Sequence, residues 1–183
     1  DKNGVWNYRL TDDQTLTDGN HTVMVKSTDI AGNSANSTPM TITVDSVIET
    51  PTIHLDSDSG TSNSDLITNN TFPVFSGTAE AYSSVVVYQD GKAIGKATAD
   101  ASGHWSYSYT SSQSLEDGSY IFYVTATDVA GNSASSEKIQ VQIDTWVSVP
   151  TVDLADASDS GSSVTDNVTN DTTPTFTLGN IDA

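Results

Sequence analysis

The chain repeats itself, and that fact limits its fold more than any other. Gly4-Val5-Trp6 returns as Gly103-His104-Trp105, Leu16-Thr17-Asp18-Gly19 as Leu115-Glu116-Asp117-Gly118, Asp29–Ala35 (DIAGNSA) as Asp128–Ala134 (DVAGNSA), and Pro51-Thr52 as Pro150-Thr151, always 99 positions on. Beyond the first segment of each copy the offset becomes 101: Ser59-Gly60 matches Ser160-Gly161, and ITNNTFPVF from Ile67 matches VTNDTTPTF from Val168. Two residues have been added in one loop. A period of about 100 residues is the size of one β-sandwich domain. The sequence therefore divides into residues 1–50, the last half of one copy; 51–149, a complete copy; and 150–183, the first third of another. It reads as a piece of a longer array.

Within the complete copy, apolar residues alternate at period two between turn signals, and no helical stripe appears. The pattern predicts seven strands: 52–55, 73–79, 84–89, 93–99, 104–110, 120–127 and 138–144. Seven short strands in about 100 residues point to an all-β, immunoglobulin-like sandwich. Asp90-Gly91 between two apolar runs signals a tight hairpin, because a primed turn needs positive φ. Gly131-Asn132 marks a second tight reversal, joining the last two strands. Alternation puts Trp105, Tyr107 and Tyr109 on one face, with Tyr120, Phe122, Val124 and Ala126, then Ile139, Val141 and Ile143; Phe75 and either Val85 with Val87 or Val86 with Tyr88 oppose them. The first copy keeps the pattern in Trp6, Tyr8, Leu10, Ile42 and Val44.

Charge narrows the partners. Six basic residues against 24 acidic give a net charge of -18, which repels nucleic acid and anionic membranes and favours cations. There is no cysteine, so neither disulfides nor thiolate metal sites can form. No apolar run approaches the length of a spanning helix. His21, His54 and His104 show no metal spacing, and no nucleophile elbow supports a Ser-His-Asp set, so the expectation is that the chain is not an enzyme.

The strings SDSG and TDNVTNDTTPTF, with GTA, DGK, DASGHWSY, LEDGSY, TATDVAGNSA and QIDT, resemble the tandem bacterial immunoglobulin-like repeats of giant, type I-secreted, non-fimbrial adhesins, the large biofilm-associated adhesins among them. The resemblance covers the whole chain. It implies a secreted or cell-surface stalk, calcium bound at aspartates near module junctions, neighbouring repeats of the same chain as partners, and a host-surface glycan or receptor as the distant ligand, with no nucleic acid and no membrane insertion.

The residues make their own case for calcium, which takes about six to eight oxygen ligands from carboxylates, carbonyls and water. The loop Asp56-Ser57-Asp58-Ser59-Gly60 with Asp65 offers three carboxylates, and Asp156, Asp159 and Asp166 offer three in the third copy. In an immunoglobulin-like sandwich the last hairpin loop lies where the chain comes in, so Asp128 approaches the linker that begins at Asp45. By the same geometry Asp29 faces an upstream junction and Asp144 one shared with the third copy. Asp45, Asp56, Asp58, Asp65 and Asp128 are thus expected to converge on one junction. The plainer reading makes these aspartates turn formers held by local hydrogen bonds. Two functions follow: a calcium-stiffened adhesive spacer, for which Trp105 should be buried, or a carbohydrate- or receptor-binding module contacting its ligand through loops at one end, for which aromatics should be exposed. An accessory domain of a secreted hydrolase is a third.

Overall fold

A computed structural model describes residues 4–181. They form two compact units that divide between Ile143 and Asp144. Apart from one 3-10 turn at Asp12–Gln14, the regular structure of the described residues is all β. No helix among them is long and apolar enough to cross a membrane.

The first copy contributes β1 (Gly19–Val23), β2 (Lys26–Thr28), β3 (Ser34–Asn36) and β4 (Met40–Val44), with β1 paired to β4 and β2 to β3. The complete copy runs through β5 (His54–Leu55), β6 (Ile67–Thr68), β7 (Val74–Thr78), β8 (Ser84–Gln89), β9 (Lys92–Thr98), β10 (His104–Ser108), β11 (Gly118–Thr127), β12 (Ser133–Ser135) and β13 (Ile139–Ile143). Its strands make two sheets, one ordered β10-β7-β5 and the other β6-β13-β11-β8-β9, with β12 also on β11. That is an immunoglobulin-like sandwich.

Side-chain alternation decides what lies between the sheets. Ile53, Leu55, Phe75, Trp105 and Tyr109 from the smaller sheet meet Val85, Val87, Phe122, Val124, Ala126, Val141 and Ile143 from the larger. Phe75 and Phe122 cross the gap with ring centroids 4.5 Å apart. Of the two alternatives on β8, Val85 and Val87 face inward and are fully buried. Tyr107, Tyr120 and Ile139 are half-buried at the margin. In the first copy Trp6, Tyr8 and Leu10 are exposed.

Seven strands become nine segments. β6 pairs with β13 in parallel through two residues, and β12 is a polar stretch of three; both are too short to carry a readable period. β12 and β13 lie along the same edge of β11, interrupted at Ser136, whose backbone N–H donates to Val124 O and whose Oγ accepts from Val124 N. Ser37 makes the same two bonds with Val25 in the first copy. The Gly131-Asn132 reversal therefore joins β11 to β12, and the chain reaches β13 through this bulge. The register repeats as well, with Gly19 opposite Val44 and Gly118 opposite Ile143.

Turns behave as their residues require. Asp90 (φ 50) and Gly91 (φ 81) both adopt positive φ in the β8–β9 hairpin, the geometry of a type I′ turn. Gly103 has φ 80, and a Cβ there would lie 2.5 Å from Ala79 O, so side chains are excluded on two counts.

The second unit holds β14 (Thr151–Leu154) and β15 (Phe176–Gly179), which pair with Leu154 opposite Phe176. Leu55 faces Phe75 in the same way.

Candidate functional site

Three carboxylates meet at one pole of the complete sandwich. Asp45 follows β4, Glu80 sits in the turn between β7 and β8, and Asp128 follows β11; one oxygen from each lies within 4.8 Å of the others. Each position follows from local folding. Thr52 N donates to Thr78 O, so the incoming chain is zipped against the end of β7, two residues before Glu80. Ile48 packs against the core and Pro51 is buried, which holds the segment from Asp45 on the sandwich.

Asp128 is set by its own loop. Its Oδ1 accepts from the backbone N–H of Gly131 at 2.6 Å and Asn132 at 2.9 Å, and its Oδ2 accepts from Asn132 Nδ2 at 2.8 Å. Burial alone would push this carboxyl up, but the Asn132 side chain and the amides of Asn132, Gly131 and Ala130 hold it below the usual range. The same Asn132 Nδ2 donates to Asp45 O at 3.1 Å. One amide thus links the last hairpin loop to the end of the preceding repeat. Asp29 takes the corresponding two bonds from Asn33, at 2.8 Å from the backbone N–H and 2.9 Å from Nδ2, and the Asn33 side chain lowers its carboxyl first of all.

Glu80 is the strained member. Desolvation raises its carboxyl, and the negative charges of Asp45, Asp128 and Glu49 raise it further, against a lowering hydrogen bond from the Glu49 amide. An all-oxygen, net-negative cluster of this kind matches a hard divalent cation such as calcium.

The approach of Asp128 to Asp45 is present, but the expected convergence of five aspartates is not. Asp56 N donates to Val74 O whereas Thr52 N donates to Thr78 O, so β5 carries Asp56 about 13 Å from that pole at about 3.3 Å per residue. Asp56, Asp58 and Asp65 lie at the opposite pole, beside the end of β13. There Asp56 Oδ1 accepts from Ser76 Oγ at 2.6 Å, Asp58 Oδ2 from Leu66 N at 3.1 Å, and Asp65 Oδ1 from Ile67 N at 3.1 Å.

The third copy repeats this loop. Asp159 Oδ2 accepts from Asn167 N at 3.2 Å and Asp166 Oδ1 from Val168 N at 3.2 Å. Its two extra residues form a turn in which Ser158 N and Asp159 N both donate to Ala155 O. Asp156 lies exposed in that turn, so the insertion leaves the rest of the loop in register. Asp144 Oδ1 accepts from Trp146 N at 3.3 Å.

His54, Asp100 and His104 line an open groove of about 690 Å³ together with Trp105. Asp100 is committed to its turn: the backbone N–H groups of His104 and Ser102 donate to Oδ1 at 3.0 and 2.7 Å and lower its carboxyl. Trp105 itself is 3% exposed. His21 lies in β1, its Nε2 2.6 Å from Thr17 O.

The family model for the bacterial Ig-like domain matches residues 1–46, 47–145 and 146–183. The chain belongs to the bacterial Ig-like domain family. Solved structures similar to this bacterial Ig-like chain include a tetra-tandem repeat from the extending region of a large adhesion protein, at 22% identity over 78% of this chain and 37% of that one, TM-score 0.48. A Ca2+-stabilized adhesin that helps an Antarctic bacterium reach out and bind ice is 24% identical over 85% of this chain and 39% of that one, TM-score 0.41. A 1.5-MDa bacterial ice-binding adhesin is 25% identical over 68% and 41%, TM-score 0.34. This bacterial Ig-like chain thus spans about two fifths of the length of each of these three structures. No curated protein matches it.

Proposed function

We propose that this chain is a stretch of spacer from a long, secreted bacterial surface adhesin, in which calcium held by Asp45, Glu80 and Asp128 stiffens the junction between successive Ig-like repeats. The observation that carries the reading is the meeting of these three carboxylates where one repeat hands over to the next. Two come from the complete sandwich and one from the end of the preceding strand. Bound there, the cation neutralises the cluster and couples the two repeats through oxygen ligands.

The chain's own residues prepare that coupling. Asn132 ties Asp45 O to the Asp128 loop and so fixes the angle at which the incoming segment meets the sandwich. Ile48 anchors the same segment from below. Glu80 supplies the charge that is disfavoured without a cation, which makes the pole sensitive to calcium. Asp144 and Asp29 hold the equivalent places at the next junction and the one upstream, as the offset of 99 positions implies.

Trp105 and Tyr109 are buried, as the spacer reading expects, so neither ring offers the exposed face that a sugar-stacking platform needs. The role is read as adhesive: in the groove lined by His54 and His104, the carboxylate of Asp100 is committed to a turn. Attachment to a host-surface glycan or receptor then belongs to the whole adhesin.

Thermal unfolding with and without calcium tests the reading. Stabilisation should grow as RT ln(1 + [L]/Kd), about 2.7 kcal/mol at a hundredfold excess over Kd, and should shrink in Asp45→Asn. A melting temperature indifferent to calcium removes the stiffening mechanism.

A further inference from the structure

The charges of the complete copy are sorted by place. Every one of its carboxylates lies outside the strands, whereas Lys92 and Lys96 lie in β9 and Lys138 comes just before β13. The strands of the larger sheet thus carry lysine and no carboxylate, on a chain of net charge -18. One row across the outer face of that sheet is aromatic: Tyr123 on β11 stands opposite Tyr88 on β8, and Tyr88 opposite Ala93 on β9. The repeat does not copy this row. Met24 and Pro39 stand 99 positions before Tyr123 and Lys138, although Asn33 and Ser37 keep the bonds made by Asn132 and Ser136 in between. The fold alone therefore does not call for these side chains.

The two tyrosine rings are parallel to within 1°, with centroids 4.8 Å apart, which is the spacing of neighbouring strands. Each ring therefore stands upright over its own strand with its faces turned along the row. Lys138 Nζ lies 5.6 Å from the Tyr123 centroid, on the β13 side and within cation–π range. Both faces of Tyr123 are thus taken. The far face of Tyr88 turns toward β9, the edge of the sheet, where the row ends in the exposed methyl group of Ala93, too short to cover the ring. A bulge sets this up. The pairing of β8 with β9 shifts between Val87 and Tyr88, and Ile94 and Gly95 both turn inward, Ile94 to the core and Gly95 to where a Cβ would strike the Tyr107 ring. Ala93 and Lys96, on either side of them, are exposed on the outer face.

We infer that this shelf is a subsite for an acidic sugar, with a pyranose ring laid on the free face of Tyr88 above Ala93 and its carboxylate taken by Lys96. The space over β9 is one strand wide, about 4.8 Å, so a ring lying there continues the stack that Lys138, Tyr123 and Tyr88 begin. The negative face of Tyr88 attracts the C–H groups of a sugar. Lys96 stands in the next row, opposite Val86, and supplies a charge-assisted bond where no strand carboxylate competes for it. Ser84 and Thr98, opposite each other one row further on and both exposed, offer hydroxyls that a sugar can use and an apolar partner cannot. Although the chain as a whole is anionic, screening over about 8 Å in physiological salt leaves the nearby lysine to decide the local field. The subsite lies on a sheet face, away from the Asp45–Glu80–Asp128 junction, and does not rest on calcium binding there.

The test is an NMR titration of the whole chain, in chelator, with trigalacturonate and with its methyl ester, which keeps the sugar rings and loses the charge. The amides of Tyr88, Ala93 and Lys96 should shift and saturate together with the acid, and the ester should bind at least about tenfold more weakly, the worth of one charge-assisted bond. Lys96→Gln should bring the acid down to the affinity of the ester. Ala93→Leu should fill the shelf and abolish both titrations with an unchanged melting temperature; should it disturb the edge strand, the Lys96→Gln comparison still decides. No shift at millimolar trisaccharide would overturn the inference, as would equal affinity for acid and ester, acid binding that survives a folded Ala93→Leu, or shifts confined to the groove of His54 and His104. Because every titration is run in chelator, a junction that fails to bind calcium leaves these readouts unchanged.

Discussion

Glu80→Gln should change sign with calcium. The substitution keeps the shape of the side chain and an oxygen to accept the Glu49 amide, and it removes one of three negative charges that lie within 4.8 Å of one another. At 4.8 Å two like charges repel by about 0.9 kcal/mol even at the dielectric of water, so relief from Asp45 alone raises apo stability by about 1 kcal/mol at low salt. For a domain of this size that corresponds to a melting temperature higher by about 4 to 8 °C. In calcium the order reverses, because the variant has lost a charged ligand and gains less of the binding free energy. The assay is paired calorimetric scans of wild type and variant, in chelator and in millimolar calcium. A variant less stable than wild type in chelator would show that Glu80 is a structural hydrogen-bonding group. A calcium response equal to wild type would show that it is no ligand. Either result refutes the reasoning.

Other expectations follow from the same structure. In chelator, stability should rise as pH falls through the raised Glu80 value towards 4.5, since there the folded state binds more protons than the unfolded one; it should fall again below 3.8, as Asp128, Asp29 and Asp100 lose hydrogen bonds that favour their charged forms. Chemical denaturation across that range measures both slopes. Phe122→Ala, at the centre of the core and 4.5 Å from the Phe75 ring, should cost about 3 to 5 kcal/mol in the same experiment. Gly103→Ala should cost at least about 1 kcal/mol through its positive φ, and more through the clash with Ala79 O.

Much of this fold is legible in the sequence because the repeat gives each signal a second chance to be seen. The offsets locate the modules, Asp90-Gly91 announces its hairpin, and alternation identifies Phe122, Val124 and Ala126 as core. β6 and β12 escape notice because two apolar-polar residues and a Ser-Ala-Ser stretch have no period. The junction is half legible. Asp45 and Asp128 follow from the rule that the last hairpin loop neighbours the incoming chain. Glu80 is not legible, since its place depends on the β5–β7 register and no matching string in another copy draws attention to it. Asp56, Asp58 and Asp65 mislead for the opposite reason: they are close to Asp45 in sequence, but an extended strand separates neighbours in sequence by the height of the sandwich. What could have placed them is the match of the Ile67 segment to the start of β7, which sets the loop before it at the far pole.

The most direct test of calcium stiffening is small-angle X-ray scattering from a chain with two complete consecutive repeats, measured in chelator and in millimolar calcium. The account predicts a longer maximum dimension and a narrower distance distribution in calcium, both lost in a variant lacking the charges of Asp45, Glu80 and Asp128. Superimposable profiles in the two conditions would contradict it.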